Sequence, residues 1–565
     1  MADQQTAVAR TNRVLNNLSS SVVSKLVTLF LNFVTRSLFI AYLGKTYLSV
    51  NGLYSDVLGM LSLAELGFGV SMGFAMYKPL AEKDYGKMSS IMRLYRTVHR
   101  VMGTVILVIG LSLIPVLNLI IKIPEDMNLG WLEFSLGAHD FRISYIVLYY
   151  IMHLVNTVIS YFFNGYKRSI LYSDQKTYVS TYLSTALTLG MSVVKVLVLI
   201  LLADSNPDLS YTIFMLLGTA ATIASNIIVG VITKRMYPDI RVRHAEPLPK
   251  EEVRRIAKDV GGNAVARICH VALNNTDNIL ISAMISTLLI GSLSNYTMIT
   301  GSLSGILTMF TGALTASLGN YFVEKTKREG LELFDNVTFG NDWLYGLCCV
   351  CLVTLFNPFM VIWLHNEEYL LGWPIIIAIC INFFVAGYMN VLTTFRSALG
   401  LFTQGWFRPI IVAVVNIGAS IGLAYALRNV TWFGFDGDMW ALFGILFATF
   451  LARASVNLWY DPIIIHKYGF EASTKSFFLR TLRTVGWTIV LCLVMVPFRL
   501  LLPVTLDMPR WQQFLNFGLL MLATACVCVG GFWLINRRHE EYRFFVTRFV
   551  GIFRGLTAKL KKKKG

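Results

Sequence analysis

Residues Ser21–Leu43 read SVVSKLVTLFLNFVTRSLFIAYL, an apolar run long enough to cross a bilayer that nonetheless contains Lys25, Asn32 and Arg36. At about 100° per residue, Ser21, Lys25, Thr28, Asn32 and Arg36 fall within a wedge of about 80° on one side of a helix. The opposite side is Leu, Phe, Val and Ile. A cation at membrane depth costs at least about 2.5 kcal/mol on insertion scales, so two on one face predict a protein-lined or hydrated interior that receives something anionic.

Of the 565 residues 55% are hydrophobic and only 14% charged, against about 25% charged in soluble domains. Fourteen segments are predicted to span: 22–43, 53–76, 100–121, 143–165, 178–202, 211–233, 261–287, 296–318, 342–364, 373–398, 409–427, 439–460, 484–502 and 514–535. The expected fold is therefore all-α and polytopic. The polar first twenty residues and the charges in the first apolar run argue against a cleaved signal segment, so the first helix is expected in the mature protein. All eight cysteines lie within apolar segments without CxxC spacing and are expected as small buried hydrophobes, with neither disulfides nor metal.

The net charge of +17 would suggest nucleic acid in a soluble protein, but here the cations fall in alternate connections. Lys78–Arg100 holds six, whereas Lys122–Arg142 holds Glu125, Asp126, Glu133 and Asp140. Topology explains the charge, no nucleic-acid partner is expected, and both termini are expected in the cytoplasm.

A 242-residue offset lays Lys25 on Arg267, Leu31-Asn32 on Leu273-Asn274, Tyr54 on Tyr296, and Glu82-Lys83 on Glu324-Lys325. The expected organisation is a six-helix lobe over 1–236, a cytoplasmic linker over 237–259 ending in the amphipathic run Lys250–Asp259, and a second six-helix lobe over 260–470. Two further helices follow over 471–539, then a basic amphipathic tail over 540–565 expected to lie on anionic lipids. An even number of helices per lobe relates the two by an axis along the membrane normal.

The seventh segment repeats the pattern of the first, with Asn263, Arg267, Asn274 and Asn278 on one face and His270 and Asp277 at its edges. The eighth carries the hydroxyls Thr297, Thr300, Ser304, Thr308, Thr311 and Thr315, and the second carries Asn51, Ser55, Ser62 and Glu65. Tyr149, His153, Asn156 and Ser160, then Ser184, Thr188, Ser192 and Lys195, continue the polar set on the fourth and fifth. Hydroxyl faces serve helix packing as readily as ligands. Arg396, Arg453 and Asp461, nearer helix ends, are expected to be interfacial. Arginine donates a planar pair of hydrogen bonds to phosphate, and amide and hydroxyl stripes suit a sugar. The expected substrate site is Lys25, Arg36, Arg267, Asn32, Asn274, Thr300, Ser304 and Thr308, with Glu65 and Asp277 balancing charge or coupling transport. No catalytic residue and no metal site are expected.

The runs Arg36–Gly44 (RSLFIAYLG), Tyr47–Tyr54 (YLSVNGLY), Leu61–Gly67 (LSLAELG) and Tyr77–Glu82 (YKPLAE), with Thr276–Ser282 (TDNILIS) and Ser294–Tyr296 (SNY), resemble the polysaccharide-transporter (Wzx-like) flippases of the multidrug/oligosaccharidyl-lipid/polysaccharide (MOP) exporter superfamily. The resemblance is most specific over 30–85 and 270–325, and the fourteen-helix count is similar to the lipid II branch. It implies a two-lobed, V-shaped, MATE-like fold in a bacterial cytoplasmic membrane. It also implies an undecaprenyl-pyrophosphate-linked oligosaccharide moved outward for capsule, teichoic acid or another surface glycan, with a polysaccharide polymerase or ligase as a downstream partner. No cofactor is implied; the drive is the membrane potential or a coupled cation, Na⁺ or H⁺. No GxxxxGK[ST] motif occurs, which argues against direct ATP use. Two other classes are set against this reading. A membrane polymerase or glycosyltransferase would need a larger acid-bearing outer loop than the roughly 20 residues present. An exporter of cationic drugs would want deep acids, where this chain is richer in bases.

Overall fold

The computed structural model describes the backbone of residues 2–62, 68–124, 129–136, 139–401 and 404–543; side chains are described there except at 2–19, 68–71, 74, 134–141, 259–267, 274, 310–317, 319–321 and 323–324. The chain opens with α1, Ala2–Leu61, broken at Gly44, where φ is +76°. An L side chain rarely adopts that conformation, so glycine is required there by backbone geometry, not by space: nothing lies within 4 Å of where its Cβ would stand. The second segment thus begins at residue 45, eight residues earlier than its hydropathy suggests, and continues in α2, Phe68–Ala81.

Each remaining segment has its helix: α3 (Tyr85–Ser112) with the short α4 (Leu117–Ile120), α5 (Tyr145–Phe162), then α6 (Arg168–Ser173), α7 (Thr177–Leu202), α8 (Pro207–Met236), α9 (Lys250–Met284) and α10 (Leu288–Glu324). They are followed by α11 (Lys327–Leu364), α12 (Trp373–Ala398), α13 (Arg408–Leu427), α14 (Gly437–Ser455), α15 (Asn457–Ile464), α16 (Lys475–Leu501) and α17 (Arg510–Asn536). Eleven helices among the described residues are long and apolar enough to cross a membrane, and the chain is a multi-pass membrane protein. Starts are set locally. Asn206 caps α8 with Pro207 at its first position, and Thr326 and Glu329 form a reciprocal capping box on α11.

Two features depart from the expected plan. The all-α expectation omits a hairpin in the acidic connection before α5, β1 (Trp131–Leu136) against antiparallel β2 (His139–Ser144). Glu133 lies opposite Arg142, whose Nε is 3.2 Å from its carboxylate and whose guanidinium covers Trp131 at 4.7 Å. In addition, the amphipathic run Lys250–Asp259 is no separate linker helix but the first part of the 35-residue α9. The Gly261-Gly262 pair inside α9 costs helix stability without ending it.

Packing divides the chain into two compact units, Met1–Gly291 and Ser292–Gly565, so α9 packs with the first unit and the division falls after it instead of in the linker. The first unit has a methionine- and tyrosine-rich core of Met72, Met76, Met88, Met92, Tyr95 and Tyr166. In the second, Phe334, Phe395, Phe470 and Phe477 form one cluster, and Phe339, Trp343, Leu491, Met495 and Leu520 seat α16 and α17 on α11. Tyr54 and Tyr296, paired by the 242-residue offset, are both fully buried. Tyr54 donates to the Ile146 carbonyl at the start of α5, and Tyr296 accepts from the Leu371 amide just before α12, so each ties its helix to the fourth helix of its set.

Arg396 and Asp461 correct the expectation that they snorkel. Asp461 is 2% exposed and pairs with Arg408, itself 6% exposed. Arg396 donates to the carbonyls of Leu401 and Gln404, both at 2.8 Å, and lies 3.9 Å from the same carboxylate. Arg453 is half-buried and points to the Asn382 carbonyl at 3.4 Å. The reason is the turn at residues 404–407, which brings Arg408 back over α15, a pairing 53 residues apart that hydropathy does not register.

Candidate functional site

The first helix, which carries Lys25, Asn32 and Arg36, packs against α7. Thr185 Oγ1 donates to Ser24 Oγ at 2.6 Å, fixing the register of the two helices beside the half-buried Lys25. Ten residues along α7, about 15 Å further, the half-buried Lys195 places its ammonium 4.3 Å from the centre of the Phe214 ring on α8. Phe214 packs edge-on against Phe39, 5.3 Å away, and Phe39 follows Arg36 by one turn of α1. The first unit therefore gathers Lys25, Arg36 and Lys195 along one α1–α7–α8 seam, with an aromatic pair between the last two. Arg36 is half-buried and Asn32 exposed.

A carboxylate that the sequence reading passed over lies on the other side of α1. Asp56 Oδ2 accepts from Asn278 Nδ2 on α9 at 2.6 Å. One turn away Asn275 approaches Gly59 so closely that a Cβ there would stand 3.3 Å from its Oδ1. Asp277, half-buried, is next to this pair in sequence. Asp56 was legible as an acid inside an apolar run, but it is one residue off the Asn51–Ser55–Ser62–Glu65 stripe. Glu65 itself lies outside the described residues. Arg267 and Asn274 belong to α9, and their side chains are outside the described set, as is the tail from residue 544.

Other members of the expected polar set are used in packing. Tyr47 and Tyr149 both donate to Asp208 Oδ1, at 2.7 and 2.8 Å, while Tyr211 donates to Asn51 at 3.3 Å and shares a 3.2 Å contact with His153. These buried groups tie α1, α5 and α8 together at one end of the unit. On α10, Thr300 donates to the Thr297 carbonyl and Thr308 to the Gly305 carbonyl, both at 3.2 Å. Ser304 lies near Tyr345 of α11 within the second unit. Among the described residues no group of three or more His, Cys, Asp or Glu is placed to hold a metal, and the eight cysteines are free thiols, Cys526 exposed and the others buried or half-buried.

Neither a family model nor a curated sequence matches the chain. Solved structures do. The lipid II flippase MurJ in an inward closed conformation is 14% identical, aligns over 93% of this chain and all of its own with a TM-score of 0.58. An inward-facing multidrug-resistance MATE family transporter of the MOP superfamily is 15% identical and aligns over 78% of this chain and 97% of its own at 0.51. The chain has the MATE/MurJ fold. At these identities the likeness is one of fold, and the MATE/MurJ fold accounts for the helix order described above.

Proposed function

We propose that this chain is a flippase that moves an undecaprenyl-pyrophosphate-linked oligosaccharide from the inner to the outer leaflet by alternating access. The observation that carries the reading is the row of cations at membrane depth, Lys25, Arg36 and Lys195, in a MATE/MurJ fold whose flippase relative covers more of the chain than the drug exporter does. Basic side chains inside a membrane protein need an anion, and a pyrophosphate supplies two charges and several acceptors. Lys25, Arg36 and Arg267 take the pyrophosphate in this reading; Asn32, Asn274, Thr300, Ser304 and Thr308 take the glycan; Glu65 and Asp277 set the resting charge. The polyprenyl tail stays in lipid while the lobes alternate. Moving negative charge outward across an inside-negative potential is favoured by about 2.3 kcal/mol per charge per 100 mV, so voltage alone, or a coupled Na⁺ or H⁺, supplies the drive. The reading places the protein in a bacterial plasma membrane with both termini inside, serving a surface polysaccharide. It needs no bond-making chemistry.

A cation-coupled multidrug exporter is the second reading, favoured by Asp56, a carboxylate at membrane depth. The two are separated by replacing Arg36 and Arg267 with alanine and following lipid-linked glycan in each leaflet. Losing a charge-assisted hydrogen bond worth about 1.5–3 kcal/mol should slow outward movement by about tenfold or more. Unchanged outward movement removes these residues from the substrate path.

A further inference from the structure

Away from the membrane-depth seam, one end of the first unit gathers cations around a buried aromatic turn. The chain leaves α5 through Asn164, held at φ +54°, into the short turn Gly165–Lys167. That turn seats on α8 because residue 230 is glycine: a Cβ there would stand 3.0 Å from Asn164 Nδ2. Arg168 fastens it further, donating to Ser225 Oγ at 2.7 Å. Lys167 is thereby held beside Lys234, one turn beyond Gly230 on the same face of α8.

Tyr166 inserts toward α3, 6% exposed, its ring 6.4 Å from that of His99, with Arg96 and Arg100 close by. The connection after α8 is strapped over the same end: the Arg241 amide donates to Ser89 Oγ at 3.0 Å and Arg93 Nη1 to the Ala245 carbonyl at 2.5 Å. Between those two ties is Arg243, near enough to act on both Tyr166 and Lys167. The five cations Arg96, Arg100, Lys167, Lys234 and Arg243 thus come from four separate stretches of chain.

None of the five forms an ion pair among the described residues, whereas their neighbours at this end do: Lys87 with Glu252 at 2.8 Å and Lys176 with Asp174 at 2.6 Å. The bias of cations toward one side of a membrane explains their number, but not their convergence. Burial, then repulsion from Lys234 and Arg243, holds the Lys167 ammonium below its ordinary pKa. Beneath Tyr166, His99 is 4% exposed, its ring set edge-on to Tyr95 at 4.4 Å, and neither ring nitrogen has a hydrogen-bond partner among the described residues.

We propose that Arg96, Arg100, Lys167, Lys234 and Arg243 form a phosphate-binding site at the cation-rich end of the first unit, distinct from the membrane-depth seam. The guanidinia provide planar paired donors and the ammonium groups point charges, the combination that suits a phosphate or pyrophosphate group with several oxygens. That group is carried by an anionic lipid or by a soluble phosphate ester. Phe162 and Phe163, both exposed immediately before the turn, offer an apolar flank for acyl chains and favour the lipid. The site is independent of what the protein transports.

The test uses the full-length protein and two probes. Bound lipid is counted by native mass spectrometry from nanodiscs containing phosphatidylglycerol or only phosphatidylcholine, and the melting midpoint is followed in detergent with inorganic pyrophosphate. The wild type should retain phosphatidylglycerol, or be stabilised by pyrophosphate, and the double variant Lys167→Gln/Arg243→Gln should bind that probe at least tenfold more weakly. Lys78→Gln/Lys250→Gln removes the same charge from exposed positions at this end and should bind as the wild type does. Retention of the lipid alone assigns a headgroup, and stabilisation by pyrophosphate assigns a soluble ester as well. Binding of neither probe, equal binding by the double variant, or an equal loss in the control overturns the site. Lys167→Gln alone, which relieves repulsion and should raise the unliganded midpoint, guards against misreading a folding defect.

Discussion

Two groups of cations, one in each unit, are compensated in opposite ways. In the second, Arg408 and Arg396 share Asp461, and Arg480 of α16 binds Asp335 at 2.6 Å with Glu541 at 3.8 Å, so each guanidinium is matched by a carboxylate. In the first, five cations converge around Tyr166 without an ion pair among the described residues, and Lys195 at membrane depth has an aromatic face for its neighbour. A matched network holds helices in place, and removing either partner leaves a stranded charge. An unmatched set destabilises the empty protein and is relieved by an anion from outside. Electrostatics therefore separates scaffold from binding surface where hydropathy does not.

The contrast can be broken most severely at Asp461. Asp461→Ala strands two arginines at the α12–α15 junction and should cost about 3–5 kcal/mol, enough to abolish folding or lower the melting midpoint drastically; a midpoint within a degree or two of wild type would show that the pair is not buried as described. Asp56→Ala should cost about 1–3 kcal/mol by leaving Asn278 unpaired, with Asp56→Asn less damaging because the amide still accepts. Equal effects of the two substitutions would mean that the 2.6 Å bond is not made.

The smallest expected effect is at Lys167. A lysine whose native pKa is depressed binds fewer protons folded than unfolded, so stability should rise with pH from that depressed value up to about 10.4, and Lys167→Gln should flatten this slope while raising the midpoint slightly. A slope unchanged in the variant would remove Lys167 from the unmatched set.

Much of this was readable in advance because bilayer thickness and backbone satisfaction leave a spanning chain few options. The described residues of the apolar segments are almost all helical, and the first of these helices packs beside α7, which carries Lys195. Elements that depend on meetings between distant residues were not readable. The Arg408–Asp461 pair needs the turn at 404–407, Asp56 gains its meaning from Asn278 more than two hundred residues on, and the cluster around Tyr166 needs Gly230 to admit the turn at Asn164. The β1–β2 hairpin was hidden for a different reason: Glu133 and Arg142 acquire a register only when paired.

The central claim, that cations at membrane depth receive a diphosphate-bearing lipid, is tested most directly in proteoliposomes loaded with fluorescent undecaprenyl-pyrophosphate-linked glycan, with the membrane potential clamped at opposite signs. The account predicts movement of the glycan lipid toward the positive side, faster as the potential grows and lost in Arg36→Ala. Indifference to the sign of the potential together with wild-type movement in Arg36→Ala, or transport of an organic cation in place of the lipid, would contradict it.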